Sequence, residues 1–405
     1  MVNSPKRILV ISHGIPHPTR GASAVIFYKY LDALKKSGSS VMHLCLNDSQ
    51  SSSEFSAYQE QICPDTKFDI LYEEVPSYYS IKLCDMRIYP TCPDLPLIEQ
   101  AQSFMPEIVL CLDILSAAVA HEIGFRNLCV WFGDLQYRTN FYHILYNFRG
   151  RERSVRNILT LFLYCFLFKR LYKKILPDVR LALASSISSQ CPLRKMGAQQ
   201  SIYLPYPWPD SGIESAEATK FETPTFILFG TLSALGSKSA FYFLFNKVLP
   251  LLYNYWGSHG FDILIAGSRS MPSWAEKYVV ATPEVKFLGF VEDLSALVSR
   301  CHAVLAPIDV PVGNRSRIVT AMSMRALVIA HVNTSLGNPE LVDGENCYLA
   351  KSADVFASCM KLAVDQQQRS EQLGAAARAT YIKSFEPTKA TRRFIQLLFE
   401  ATAVN

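Results

Sequence analysis

The stretch YLPYPWPDSG (203–212) carries Pro205, Pro207 and Pro209, and neither a helix nor a central strand can run through it. On both sides of it one pattern repeats: short apolar runs alternate with segments of helical spacing. Before it, 7–13 (RILVISH) is continuous, apolar and β-branched, as a strand buried on both faces of a parallel sheet is. Residues 22–36 follow with Val25, Ile26, Tyr30, Leu31 and Leu34 at helical spacing, and Gly38 ends them. Further strands are expected at 41–46, 107–112, 128–132, 181–184 and 201–204, with 47–58 as polar loop. Beyond the prolines the pattern restarts, with strands at 225–229, 262–266, 285–288, 303–306 and 327–330. Helices are expected at 238–255, 294–299 and 317–324, and from 355 onward. Two parallel sheets covered by helices are the expected architecture. A length of 405 residues accommodates two such domains.

With 49% apolar and 19% charged residues, the chain can bury sizeable cores. Eleven cysteines are scattered singly, with no C-x-x-C pair, which argues against a zinc site or a disulfide framework and for a reducing cytoplasm. The opening MVNSPKRILVISH lacks the long apolar core of a signal peptide. The net charge of +5 is unevenly placed. Between Arg149 and Arg180, nine Lys/Arg face two acidic residues, a local +7 that leaves about −2 for the remainder. A nucleic-acid binder would not confine its excess this way, so no nucleic-acid partner is expected.

Five segments carry candidate chemistry. In the loop 13–23 (HGIPHPTRGAS), Gly21 and Ala22 stand at a helix start, where backbone N–H groups can meet a phosphate. His13 and Arg20 of the same loop are candidate site residues. An ordinary strand–helix turn is the competing reading, and the loop is not the G-x-G-x-x-G of dinucleotide sites. In 306–324 (APIDVPVGNRSRIVTAMSM), the turn Gly313–Asn314 leads into a helix with Arg315 and Arg317 in its first turn. Cations there oppose the helix dipole. An anion held between the helix start and the two guanidiniums removes the conflict, because the planar fork of Arg binds phosphate oxygens in pairs. Salt bridging to nearby carboxylates is the alternative.

In 285–294 (VKFLGFVEDL), the loop after Gly289 offers the backbone at Val291 to a base edge, and Phe290 or Leu294 to its face. In 131–140 (WFGDLQYRTN), Asp134 and Arg138 follow a strand end, where Arg138 could reach a phosphate; Asp134 as a plain helix N-cap competes. In 155–176, the apolar run from Ile158 to Phe168 is too short for a bilayer, which needs about 20 residues. Its basic flanks suit either a membrane interface or a core helix, and the charge excess favours an anionic membrane surface.

From about 225 to 385 the chain resembles glycosyltransferase family four, one of the GT-B families. The resemblance rests on FILFGTLSALGSKSAFYFLFNKVLPLL, ILIAGS, VKFLGFVEDLSALVSRCHAVLAPI, GENCYLAKSADVFASCM and AARATYIKSF, in that order and spacing. It implies an α/β GT-B fold, two Rossmann-like domains with parallel sheets facing an interdomain cleft. Residues 1–205 would form the acceptor domain, 206–386 the nucleotide-sugar domain, and 387–405 a helix crossing back. It implies a donor site at Gly230, Thr231, Lys238, Gly267, Gly313, Asn314, Ser316 and Thr320, besides the residues above, with acceptor contacts at His13, Arg20 and Arg138 and with Asp134 at the acceptor hydroxyl or the transferred sugar. Arg315 falls on a family arginine and Arg317 where a lysine is usual. Thr320 stands where a ribose-binding glutamate is usual, Val312 replaces that residue's partner, and Pro311 and Arg325 replace two glycines.

The expected activity is transfer of a sugar from a nucleotide-diphosphate sugar, the co-substrate, to a glycan or lipid-linked acceptor in surface polysaccharide or glycoconjugate biosynthesis. Asp134, Arg315 and Arg317 are the candidate catalytic residues. The resemblance implies retention of configuration and no metal or other cofactor, and no Asp-x-Asp motif occurs. The expected location is cytoplasmic, peripheral on the inner membrane face. A nucleotide-sugar epimerase or phosphorylase on the same fold, and a catalytically inactive nucleotide-sugar-binding protein, are the rival readings.

Overall fold

A computed structural model describes residues 6–19, 21–48, 52–62, 67–150, 154–212, 219–313 and 315–403. The chain divides into two compact α/β units. The first comprises Met1–Ile144, Arg153–Pro207 and Pro387–Asn405, and the second Leu145–Glu152 and Trp208–Glu386.

The first unit runs β1 (Arg7–His13), α1 (Ala22–Lys36), β2 (Ser40–Asn47), α2 (Ser52–Ile62), β3 (Phe68–Glu74), the hairpin β4 (Tyr79–Lys82) and β5 (Arg87–Pro90), and α3 (Leu95–Ser103). It continues with β6 (Ile108–Cys111), α4 (Ile114–Glu122), β7 (Leu128–Phe132), α5 (Gln136–Gly150), α6 (Val155–Ile175), β8 (Val179–Ala184), α7 (Ile187–Lys195) and β9 (Gln200–Tyr203). Seven strands form one parallel sheet in the order β3-β2-β1-β6-β7-β8-β9. Ile8, Leu9, Val10 and Ile11 are all fully buried, which requires cover on both sheet faces. Each such side chain removed from water contributes about 1.5–3 kcal/mol.

The second unit runs β10 (Thr225–Phe229), α8 (Leu235–Phe243), α9 (Leu249–Trp256), β11 (Asp262–Ala266), α10 (Ser273–Val280), β12 (Val285–Gly289) and α11 (Leu294–Arg300). Then come β13 (Ala303–Ala306), α12 (Ser316–Ser323), β14 (Val328–His331), β15 (Tyr348–Ala350), α13 (Ala353–Asp365) and α14 (Gln367–Ser384). Its six strands are parallel in the order β12-β11-β10-β13-β14-β15. The last helix, α15 (Pro387–Ala403), belongs to the first unit, where Phe394 stacks on Tyr30 of α1 at 4.1 Å.

Both sheets are parallel and helix-covered, as the alternation implied. Two local expectations are corrected, and one strand is added. Residues 47–58 are not all loop: α2 starts at Ser52, and its buried anchors, Tyr58 and Ile62, lie four apart among polar neighbours that mask the period. The strand β3 passes unnoticed in the sequence because it is an edge strand whose only buried residue is Phe68. The helix expected over 238–255 is two α-helices joined by a π-helical turn, Leu244–Val248. Pro250 in the first turn of α9 cannot donate a hydrogen bond, so the ladder is re-registered there.

Candidate active site

In an open parallel sheet, ligands sit at the carboxyl ends of the strands where the strand order reverses. In the second unit that point lies between β10 and β13. β10 is followed by Gly230 and Thr231, which lead into α8; β13 is followed by residues 307–313 on the way to α12. The two helix starts therefore belong to the two strands that flank the switch point.

Arg317 bridges them. Its Nη2 donates to Ser237 Oγ in the first turn of α8 at 2.7 Å and to Thr231 O at 3.4 Å. Its Nη1 is buried and has no partner among the described residues, and no carboxylate pairs with this side chain there. Burial, and then the charge of Arg315, lowers the Arg317 guanidinium to about 10. Arg315 donates from its backbone N to Asn338 Oδ1 at 3.1 Å and from Nη2 to Val310 O at 2.8 Å. Its Nη1 lies 3.9 Å from where a Cβ on Gly236 would stand, so this guanidinium also sits at the first turn of α8. Asn338 Nδ2 is a second buried donor with no partner among the described residues. Two like charges and unmatched donors thus meet at two helix N-termini, an arrangement that an anion would complete.

Glycine makes this packing possible. A Cβ on Gly267, at φ 104, would stand 2.7 Å from the Gly230 backbone N. Gly230, at φ 111, faces the Arg317 guanidinium, which a Cβ there would meet at 3.5 Å. The strand ends are knitted together by Gly230 N donating to Ala266 O and Gly267 N donating to Gly289 O, at 3.0 and 2.8 Å.

The remaining candidates are placed as follows. Ser316 opens α12, and Gly313 is buried just before it. Asn314 and Arg20 lie outside the described residues. Thr320 lies one turn into α12, where its hydroxyl donates to Ser316 O at 3.0 Å and accepts from Trp208 Nε1 at 2.8 Å. Val312 is buried. Lys238 is in the first turn of α8, with its ammonium 5.8 Å from the Trp274 ring. Phe290 is exposed at the end of β12, while Val291 and Leu294 are half-buried; Asp293, beside them, caps α11 by accepting from Ala296 N at 2.9 Å.

In the first unit the order reverses between β1 and β6. His13 ends β1. Its Nδ1 lies 3.0 Å from Ser116 Oγ and 3.7 Å from Asp113 Oδ1, and its ring meets the edge of Tyr78 at 4.7 Å. Its Nε2 is enclosed without a partner among the described residues. Asp113 follows β6 after Leu112 and caps α4 by accepting from Ser116 N at 2.7 Å. It holds φ 141, a strained backbone for a residue with a side chain. Sequence reasoning missed Asp113. The available signal was an aspartate straight after the apolar run 108–112, three residues ahead of a serine.

Asp134 is exposed in the loop between β7 and α5. Desolvation chiefly raises the Tyr172 phenol, and the charges of Asp113 and Asp134 add to that shift. Arg138 donates to Ser188 O at 2.6 Å, which fixes it over the start of α7. Gly21, at φ 72, precedes α1, with Ala22 as its first residue; both are exposed. Among the described residues, no three His, Cys, Asp or Glu side chains gather to hold a metal ion.

The pair of Rossmann-like parallel-sheet units is the architecture of the GT-B fold. Residues 223–365 match the family model described as "Glycosyl transferases group 1". Over its whole length the chain is similar to a solved glycosyltransferase of Rickettsia africae (TM-score 0.67, 14% identity, 100% of each chain covered). It is also similar to HepE of Anabaena, solved with UDP and glucose (0.59, 13%, 97% of this chain and 99% of that one). A third is a variant of S. aureus TarM solved with fondaparinux, α-GlcNAc-glycerol and UDP (0.67, 10%, 97% and 99%). At these identities the likeness establishes the fold. None of the curated proteins compared with the chain matches it in sequence.

Proposed function

We propose that the chain is a glycosyltransferase that moves a sugar from a nucleotide-diphosphate sugar to a hydroxyl of a glycan or lipid-linked acceptor, in the cytoplasm and in the making of a surface polysaccharide or glycoconjugate. The observation that carries this reading is the pairing of Arg315 and Arg317 at two helix starts beside the β10/β13 switch point. The group 1 family match over the same unit supports it, as do the fold relatives solved with UDP.

In this reading the bond between the sugar's C1 and the phosphate oxygen breaks, and both electrons go to the diphosphate. Arg315, Arg317, the Gly313 backbone and the N-termini of α8 and α12 stabilise that charge, the kind of contribution that usually dominates at such sites. Ser316 and Lys238 border the diphosphate. Gly230, Thr231 and Gly267 leave room for it. Phe290, Val291 and Leu294 stand two strands from β10, about 10 Å across the sheet, and would receive the base. Thr320 would offer the ribose only the acceptor capacity its two bonds leave. The acceptor oxygen bonds C1 and its proton passes to a basic group; Asp134 and the buried Nε2 of His13, unpartnered among the described residues, are the candidates in the first unit, with Arg138 orienting the acceptor. Retention of configuration and independence of metal are part of the proposal.

A second reading is favoured by the Thr320–Trp208 bond: a nucleotide-sugar-binding protein without turnover. A thermal-shift screen against UDP-, GDP-, dTDP- and CMP-sugars would identify the donor. Release of free nucleotide diphosphate with that donor, together with an elongated glycan, is then the expected result. Stabilisation without release would select the binding protein, and an altered free sugar nucleotide would select an epimerase.

A further inference from the structure

Helix α6 is buried on one side only. Ile158, Leu167, Phe168, Leu171, Tyr172 and Ile175 are buried. Its other side carries Val155, Leu159, Phe162 and Phe166, exposed to 70, 62, 50 and 53%. At about 100° per residue these four share one stripe, roughly 100° wide, with Lys169, Arg170 and Lys173. A single face therefore passes from four large apolar side chains to three exposed cations, and α6 contains no acidic residue. The β4–β5 hairpin adjoins the cationic end: Arg170 Nη1 donates to Asp85 O at 3.3 Å and Met86 O at 3.4 Å. The same turn exposes Leu83 to 64% and is flanked by exposed Lys82 and Arg87. Lys174 is set apart by its pairing with Glu122 at 2.6 Å.

We propose that this stripe and the hairpin turn form a docking face for an anionic lipid surface. Nucleic acid would use the cations but has no use for four exposed apolar side chains beside them. A membrane interface uses both, since acyl chains take the apolar part and anionic headgroups pair with the cations. No helix of the described residues is long and apolar enough to cross a bilayer, so α6 lies on the surface. Docking stands independently of the glycosyltransferase reading. It deepens that reading by selecting a lipid-linked acceptor over a soluble one.

The test is flotation of the full chain with vesicles of phosphatidylcholine alone or mixed with phosphatidylglycerol. The chain should float with the anionic vesicles, and added salt should weaken this without abolishing it. Joint Lys169→Gln and Lys173→Gln should lower partitioning about thirtyfold at low salt, at roughly 1 kcal/mol per cation. Joint Leu159→Ser, Phe162→Ser and Phe166→Ser should remove binding while leaving the far-UV circular dichroism unchanged. No flotation, or flotation indifferent to the serine changes, overturns the proposal. So does a wild-type dimer that the serine variant dissociates, which would make a second copy the occupant, and so does a preference for nucleic acid over vesicles. Flotation that persists in a protein with no donor turnover would sink only the enzymatic reading.

Discussion

The indole N–H of Trp208 donates to the hydroxyl of Thr320 at 2.8 Å, and that hydroxyl in turn donates to Ser316 O. The Trp208 backbone is fastened on both sides, its N donating to Phe385 O at 2.9 Å and its O accepting from Tyr381 Oη at 2.9 Å. The proline-rich segment thus continues as a strap over α12, extended by the Asp210–Arg378 pair. Trp208→Phe should cost about 0.5–1.5 kcal/mol in urea unfolding, the net worth of a neutral hydrogen bond. A double-mutant cycle with Thr320→Val should show coupling of similar size. Strictly additive changes would mean the contact is passive.

Arg317→Ala should weaken nucleotide-diphosphate binding by about 1.5–3 kcal/mol, read by calorimetry, because a charge-assisted contact is lost. Arg315→Ala should cost a similar amount. If either variant binds as tightly as the parent, that side chain lies outside the donor site.

Asp113→Asn keeps an oxygen for the α4 cap but removes the charge beside His13 Nδ1. Donor affinity should hold while kcat falls on the order of 10²–10⁴, the usual range for a disturbed proton transfer. Equal turnover in the two proteins would confine Asp113 to capping.

The glycines at the strand ends make a stability prediction. Gly267→Ala forces a Cβ to within 2.7 Å of the Gly230 N at a φ of 104. A loss of at least about 1–3 kcal/mol is expected, and a melting temperature equal to the parent's would show that the strand ends can separate freely.

His43 couples the first unit to pH. It is buried between Ser12 Oγ and Tyr58 Oη, each at 2.8 Å, and burial lowers its imidazole from 6.5 to about 3. The unfolded chain therefore binds a proton between those values that the folded one refuses. The contribution is intact above pH 6.5 and is lost as pH falls toward 3, by up to about 1.4 kcal/mol per pH unit. Urea midpoints measured from pH 7 to 4 should fall, and His43→Gln should flatten that slope.

What could be read from the sequence tracks how locally each feature is encoded. The run 7–13 shows its strand because every position but Arg7 is buried, so burial alone writes the pattern. The strand β3 and helix α2 bury one or two side chains each, too few to set a period. Arg315 and Arg317 stood out because two cations at a helix start contradict the dipole, a conflict visible within a few residues. Ser237 and Asn338, which hold them, could not be found that way. They reach the arginines from 80 and 23 positions away, through a sheet order that no local window contains. The partner of Thr320 was hidden for the same reason, since Trp208 sits in a segment legible only as a place where regular structure stops.

The stack of Phe394 on Tyr30 joins the last helix to the first, across almost the whole length of the chain. A ribosome releases α1 early and α15 late, so the ring of Tyr30 must wait for its partner until nearly all of the second unit has been made. Loop closure of that span is slow to nucleate, and contacts so distant in sequence form after local ones. The first unit is in this sense a clasp fastened only after the second unit has been made, and a chain cut short before Pro387 would leave Tyr30 of α1 without its stacking partner.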